Sequence, residues 1–292
     1  CDMRAIVDEA TLPNDKFRAA WDAIKTEAAF KQRLIAQSLM AFTMRRAFAF
    51  EDLPVHGLIV LAGSPGTGKT TLARGLAHKL AETLKGQTVN FIQIDAHALT
   101  GSNLGQSQKE VTKLFTETIP ERAASGPLIV LLDEVETLAA DRQKLSLEAN
   151  PIDVHRATDA ALAGADHVAR HAPNALLVAT TNYPGAVDGA FLSRADLIEE
   201  MGAPNAAARQ AIIEEVLTLF ASKWPGVAKL KQNIAAFVHA SDGLDGRALR
   251  KALVAAAAST PQTAQDLSKL SDTQVIGALN RAQQSRKLEM VA

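Results

Sequence analysis

Eight consecutive residues, Gly63-Ser64-Pro65-Gly66-Thr67-Gly68-Lys69-Thr70, have the types and order that hold a nucleotide's phosphates. The glycines let the backbone curl so that successive N–H groups face an anion, and a helix starting directly afterwards adds its dipole to that field. Pro65, Gly66, Thr67, Gly68, Lys69, Thr70 and Thr71 are therefore the candidate nucleotide-binding residues. Lys69 would reach the β- and γ-phosphates, and Thr70 would hold Mg²⁺.

Hydrolysis needs a second anchor for Mg²⁺ and a group that activates water. Asp133 and Glu134 end an apolar run and supply both, the first as metal anchor and the second to orient or deprotonate the attacking water. Alone, two adjacent acids read equally well as solvated charge, and it is the P-loop upstream that favours the catalytic reading. Asn182 ends a later apolar run and would hold the same water, although an Asn there is otherwise an ordinary turn former. Arg194 lies in Asp188-Gly189-Ala190-Phe191-Leu192-Ser193-Arg194-Ala195-Asp196. It has the place of an arginine finger serving a neighbouring subunit, against the alternative of a surface Arg paired with Asp196. Arg247 opens a later helix with Asp245 as its cap, where it would contact the γ-phosphate; Arg250 competes for that role. His167 and His171 stand four apart on a helix, as zinc ligands sometimes do. The intervening Val168-Ala169-Arg170 lacks the glutamate of the metalloprotease signature, so they read as two exposed histidines.

The elements that must position these groups are legible as apolar patterns. Leu58-Ile59-Val60-Leu61, Leu128-Ile129-Val130-Leu131-Leu132 and Ala175-Leu176-Leu177-Val178-Ala179 are continuous runs of the kind a strand buried on both faces shows, and residues 89–94 add another strand. Leu72, Leu76 and Leu80 recur at helical spacing after the P-loop. Strands alternating with helices imply a parallel sheet with its functional residues at the carboxyl ends of the strands. Apolar residues at three- and four-residue steps over 15–48 predict one or two amphipathic helices ahead of it. Beyond Gly202-Ala203-Pro204-Asn205 no strand pattern appears, only helical segments near 206–222, 227–240, 247–259 and 272–288. The expected fold is thus an α/β P-loop NTPase, a parallel sheet flanked by helices, with a small all-helical lid. Its expected parts are a helical lead-in over 1–50, the ATPase subdomain over 51–204 and the lid over 205–292.

At 292 residues and 47% apolar content the chain can bury a full core. Lys and Arg number 31 against 32 Asp and Glu, a net charge of -1, which leaves no overall bias toward nucleic acid or acidic membranes. The single cysteine, Cys1, cannot form an internal disulfide, no apolar run approaches bilayer length, and residues 1–20 lack a signal-peptide pattern. A cytoplasmic protein with no membrane partner and no direct nucleic-acid partner is expected.

In chain order the P-loop, Asp133-Glu134, Asn182, Arg194 and Gly246-Arg247 resemble the AAA+ ATPase set. More narrowly, Asp133-Glu134-Val135-Glu136-Thr137-Leu138, Asn150-Pro151-Ile152-Asp153, Phe191-Leu192-Ser193-Arg194-Ala195-Asp196 and Gly243-Leu244-Asp245-Gly246-Arg247-Ala248-Leu249-Arg250-Lys251 look like the pachytene checkpoint AAA+ remodellers. The likeness spans about residues 30–257. Its last two stretches are the most specific, because general AAA+ proteins usually carry a longer Arg-containing loop around the finger. The resemblance implies ATP rather than GTP, with Mg²⁺, and a homo-hexameric ring that pulls on a HORMA-domain protein to convert a closed, partner-bound form to an open one. Eukaryotic members carry a sizeable N-terminal substrate-recognition domain, whereas about fifty residues precede the ATPase here. The chain is therefore more similar to compact bacterial members, which accompany HORMA proteins in antiphage cyclic-nucleotide signalling operons and restrain that signalling.

The family grips substrate at its central pore with an aromatic residue followed by an apolar one. The matching positions are Asn103 and Leu104, followed by Gly105, so the aromatic is missing and an ordinary glycine-containing connection is the competing reading. Two other classes of function fit a nucleotide site. A DNA-associated AAA+ loader or initiator would display a basic stripe or a DNA-binding appendage, and the sequence displays neither. A nucleotide-gated scaffold without turnover would have no use for Glu134, Asn182 and Arg194.

Overall fold

The computed structural model describes residues 5–100, 106–141 and 151–289. It divides into two compact units. The first takes the chain up to Ile24, then Ala28–Ser64 and Lys69–Met201; the second takes Lys25–Glu27, Pro65–Gly68 and the chain from Gly202 on.

In the first unit, strand β1 (Ile6–Leu12) leads to helices α1 (Asp15–Ala23) and α2 (Ala28–Ala47). Then follow β2 (Leu58–Ala62), α3 (Lys69–Thr83), β3 (Val89–Asp95), α4 (Ala96–Thr100), α5 (Gln106–Lys113), α6 (Ile119–Ala123), β4 (Leu128–Asp133), α7 (Pro151–His171), β5 (Ala175–Thr181), α8 (Gly189–Leu192) and β6 (Leu197–Glu200). The six strands form one sheet in the order β1-β3-β4-β5-β2-β6, parallel throughout except for β1, which runs antiparallel to β3. The continuous apolar runs follow from this placement. In β4, Leu128, Val130 and Leu132 face a core that includes Leu114, Phe115, Ala161 and Val168, while Ile129 and Leu131 face another that includes Phe17, Leu34, Phe42, Leu72 and Leu76. The residues of β2 and β5 divide between the same two cores in the same alternation, so neither strand has a wet face.

Two strands were not visible as patterns. The expected helical lead-in begins instead with β1, a half-exposed edge strand whose Asp8 and Glu9 interrupt any apolar signal; pairing with β3, from Leu12↔Val89 to Ile6↔Ile94, organises it. β6, four residues long with alternate side chains half-buried, extends the opposite edge beside β2. Between α5 and α6 a π-helical turn, Leu114–Thr118, precedes Pro120, so the proline, which has no N–H to donate, sits next to the one stretch of this helical run that departs from α-helical bonding.

α2 is anchored by a buried cation. Arg45, 8% exposed, donates from Nη2 to the carbonyls of Val168 and Ala172 at 2.8 and 2.9 Å, and from Nη1 to that of Ala175, so it caps the C-terminal end of α7. Burial pulls its pKa down to about 10, against the opposing pull of Asp196. Arg45→Met should destabilise the fold by about 3 kcal/mol, because it strands these carbonyls in an apolar surround. Chemical denaturation would register this as a lower midpoint at unchanged slope.

The second unit has no strand among its described residues. α9 (Ala206–Ala221), α10 (Ile234–Ala240), α11 (Gly246–Ala257), α12 (Pro261–Gln265) and α13 (Asp272–Glu289) surround a core containing Ile213, Leu217, Phe237, Leu249, Leu253 and Leu279. A 3₁₀ segment, Pro225–Asn233, replaces the start of the continuous helix expected over 227–240. Side-chain caps at Asn205, Asp245 and Thr260 start three of these helices.

Candidate functional site

The carboxyl ends of β2, β4 and β5 lie side by side, with Leu132 of β4 in register with Ala179 of β5, and Ala62 of β2 with Thr181. Each strand ends in a candidate group. At the end of β2 the chain enters the glycine-rich loop at Gly63, whose φ of 144° and approach to Met201 leave no room for a side chain: a Cβ would sit 2.3 Å from the Met201 carbonyl oxygen. Gly66 and Gly68 also have positive φ, which turns the loop tightly into α3.

Lys69 and Thr70 open α3 and point back at the strand ends. The Lys69 ammonium, on a side chain in a residue only 6% exposed, donates to the carbonyls of Gly63 and Ser64 at 2.7 and 3.0 Å and to Asn182 Oδ1 at 2.8 Å. The Thr70 hydroxyl donates to Asp133 Oδ1 at 2.8 Å. Asn182 Nδ2 donates in turn to Glu134 Oε1 at 3.2 Å. One amide therefore links the P-loop lysine to the carboxylate expected to activate water, and both ends of that amide are used in their proper sense. Lys69, Thr70, Asp133, Glu134 and Asn182 thus converge in one hydrogen-bonded cluster.

Several residues that the sequence did not single out hold this cluster in place. Thr180 donates to Asp133 Oδ1 and accepts from the Glu134 N–H at 3.2 Å. Gln93 on β3 donates to Asp133 Oδ2 at 3.2 Å, and is itself held by Arg74, which also pairs with Asp8 of β1 at 2.9 Å. Glu136 Oε1 accepts from the Asn182 backbone N–H at 3.0 Å. His97, just past β3, places Nε2 3.0 Å from Glu134 Oε2. Glu134 itself has φ 55° and ψ 53°, the only left-handed non-glycine among the described residues. Such backbone strain concentrates at working sites. No spacing rule would have found Gln93, His97 or Thr180, since only the packing of β3, α4 and β5 beside β4 brings them to Asp133 and Glu134.

The remaining candidates stand apart from this cluster in their bonding. Arg194 follows α8 and pairs with Asp166 of α7, not with Asp196. Asp196 instead accepts from the backbone N–H groups of His56, Gly57 and Leu58. Arg247 is exposed at the first turn of α11, where its N–H donates to Asp245, and Arg250 pairs with Glu215 at 3.1 Å. His167 and His171 stack at 4.4 Å between ring centres; His167 is half-buried rather than exposed, and burial followed by the neighbouring His171 lowers its pKa. Among the described residues no group of His, Cys, Asp and Glu could hold a metal ion by itself. The pore-loop candidates Asn103, Leu104 and Gly105 lie outside the described residues.

The donor set fits a magnesium nucleotide. A hydroxyl and a carboxylate oxygen 2.8 Å apart, Thr70 and Asp133, are hard oxygen ligands of the kind Mg²⁺ takes alongside phosphate, and the Lys69 ammonium, bonded to Asn182 at the end of β5, supplies a positive charge for phosphate. Fold and site define a P-loop ATPase, and residues 59–203 match the family described as ATPase family associated with various cellular activities (AAA). The chain is 47% identical over 277 residues to CD-NTase-associated protein 6 of Pseudomonas aeruginosa, across 94% of this chain and 91% of that protein. It is 34% identical over 225 residues to the Pachytene checkpoint protein 2 homolog of Oryza sativa subsp. indica, across 74% of this chain and 46% of that longer protein, of which it spans about half. Among solved structures, that of an E. coli MS115-1 HORMA:CdnC:Trip13 complex aligns with a TM-score of 0.75 at 18% identity, across 94% of both chains. The chain belongs to the AAA ATPases, in the bacterial branch of the pachytene-checkpoint type. It is a nucleotide-binding ATPase, and no described helix is long and apolar enough to cross a membrane.

Proposed function

We propose that the chain forms a homo-hexameric, ATP-hydrolysing ring in the cytoplasm that converts or disassembles HORMA-domain protein complexes and so restrains bacterial antiphage cyclic-nucleotide signalling. The observation that carries the ATPase chemistry is the bridge through Asn182 from Lys69 to Glu134. Pro65 to Thr71 cradle the phosphates, Thr70 and Asp133 hold Mg²⁺, Glu134 activates water and Asn182 keeps that water near the γ-phosphate. Bound Mg²⁺ supplies charge neutralisation on the phosphoryl group being transferred. Arg194 acts on the nucleotide of the neighbouring subunit, Arg247 reports nucleotide state to the lid, and Leu104, flanked by Asn103 and Gly105, engages substrate in the pore. The HORMA-domain substrate class and the signalling role are supported by the 47% identity with CD-NTase-associated protein 6 over nearly the whole chain.

The test is capture. In native extracts with ATP, the Glu134→Gln variant should retain a HORMA-domain protein and its bound partner, identified by mass spectrometry, and the wild type should release them as it turns over. Recovery of nucleic acid or replication factors would favour the DNA-associated loader and refute the HORMA assignment.

A further inference from the structure

The guanidinium of Arg194 is held within its own chain by three bonds. Nε and Nη2 donate to Asp166 Oδ1 and Oδ2 at 2.7 and 2.8 Å, a two-point grip on α7, and Nη1 donates to the Ala190 carbonyl at 2.6 Å. His56 Nε2 lies 3.2 Å from the same Asp166 Oδ1 and closes the cluster from the segment leading into β2. Two residues beyond Arg194, Asp196 accepts the backbone N–H groups of His56, Gly57 and Leu58 at 3.0, 2.6 and 3.1 Å. The segment carrying Arg194 is thereby tied to the start of the strand whose other end opens into the P-loop.

The pairing is too specific to read as incidental surface charge. The side chains of Arg194 and Asp166 are 22% and 33% exposed, and partly exposed ion pairs contribute little to stability. The Arg194 hydrogen bonds nonetheless hold the Asp166 carboxyl below the usual carboxylate range, and the Asp166 bond raises the pKa of Arg194 in return. A guanidinium carries five N–H donors. The three bonds described leave two, one on each terminal nitrogen, donors of the kind that phosphate oxygens accept.

We infer that Asp166 is a positioning residue for Arg194: it fixes the plane of the guanidinium by its side edge and leaves the remaining Nη1 and Nη2 donors to a nucleotide phosphate of the neighbouring subunit. His56 steadies the carboxylate from behind. The inference rests on the reading of Arg194 as a finger that acts between subunits. It assigns to a residue on a different element, 28 positions upstream, control over how well that finger works.

Steady-state ATP hydrolysis by the full chain tests it, with thermal melting and size-exclusion chromatography checking that each variant is folded and assembled. Asp166→Asn keeps the shape but loses one acceptor oxygen and the charge. It should lower kcat about tenfold with KM for ATP changed less than about twofold, in the range of coupling between hydrogen-bonded partners. The double variant Asp166→Asn with Arg194→Ala should be no slower than Arg194→Ala alone. Mixing Asp166→Asn with Glu134→Gln protein should recover turnover, because the Glu134→Gln subunits bring a correctly held Arg194 to competent sites. Wild-type kcat in Asp166→Asn alongside an inactive Arg194→Ala would overturn the positioning role and leave the finger standing. Additive losses in the double variant, or no recovery on mixing, would also overturn it, since Asp166 would then act within its own subunit. Full turnover by Arg194→Ala would remove the finger reading itself.

Discussion

Glu134→Gln is expected to bind ATP as the wild type does and to hydrolyse it about 10² to 10⁴ times more slowly, the contribution typical of a positioned general base. The amide has the size of the carboxylate and can still accept from Asn182 Nδ2 through its oxygen, so the link from Lys69 through Asn182 survives. What disappears is the second anionic oxygen, the one facing His97, and with it the ability to draw a proton from water. A fluorescent-nucleotide titration gives the affinity and phosphate release gives the rate. Unimpaired turnover in this variant would dismantle the assignment of Glu134, and the cluster at the ends of β4 and β5 would then need another base.

Arg194→Ala should cost still more, about 10³ to 10⁵ in kcat, as loss of an arginine finger does. Its bonds within the chain run to Asp166 and Ala190 and to none of Lys69, Thr70, Asp133 or Glu134, so any direct action on phosphate is expected between subunits. Neither Arg194→Ala nor Glu134→Gln alone should hydrolyse ATP appreciably. Mixed, they should: a subunit with an intact Glu134 can receive Arg194 from a neighbour that lacks only Glu134. A mixture that stays inactive at every ratio would deprive the between-subunit role of support.

Where a local shape depends on consecutive residues, the sequence was sufficient. The P-loop is a local backbone shape, set by Gly63, Gly66 and Gly68 at positive φ, and eight residues in order specify it. Asp133 and Glu134 were legible because they end a run of five apolar residues, of the kind a doubly covered strand carries, downstream of the P-loop. Asn182 was legible for the same reason at the end of β5. Edge strands were not, because half their side chains face water and the apolar signal halves with them, as β1 and β6 illustrate.

By itself, then, the sequence determined the glycine-rich turn between β2 and α3, the acidic pair at the end of β4, the central strands and the family. Only the tertiary structure decided which neighbours hold those groups to their task. Gln93 reaches Asp133 because β3 lies parallel to β4 with Asp95 opposite Asp133, and His97 meets Glu134 because α4 starts where that register ends. Asp166, rather than the nearby Asp196, holds Arg194 because α7 lies against the segment containing α8. The physical reason is one of range: a loop's conformation is encoded in its own residues, whereas a hydrogen bond between distant residues exists only once packing has brought their elements into contact.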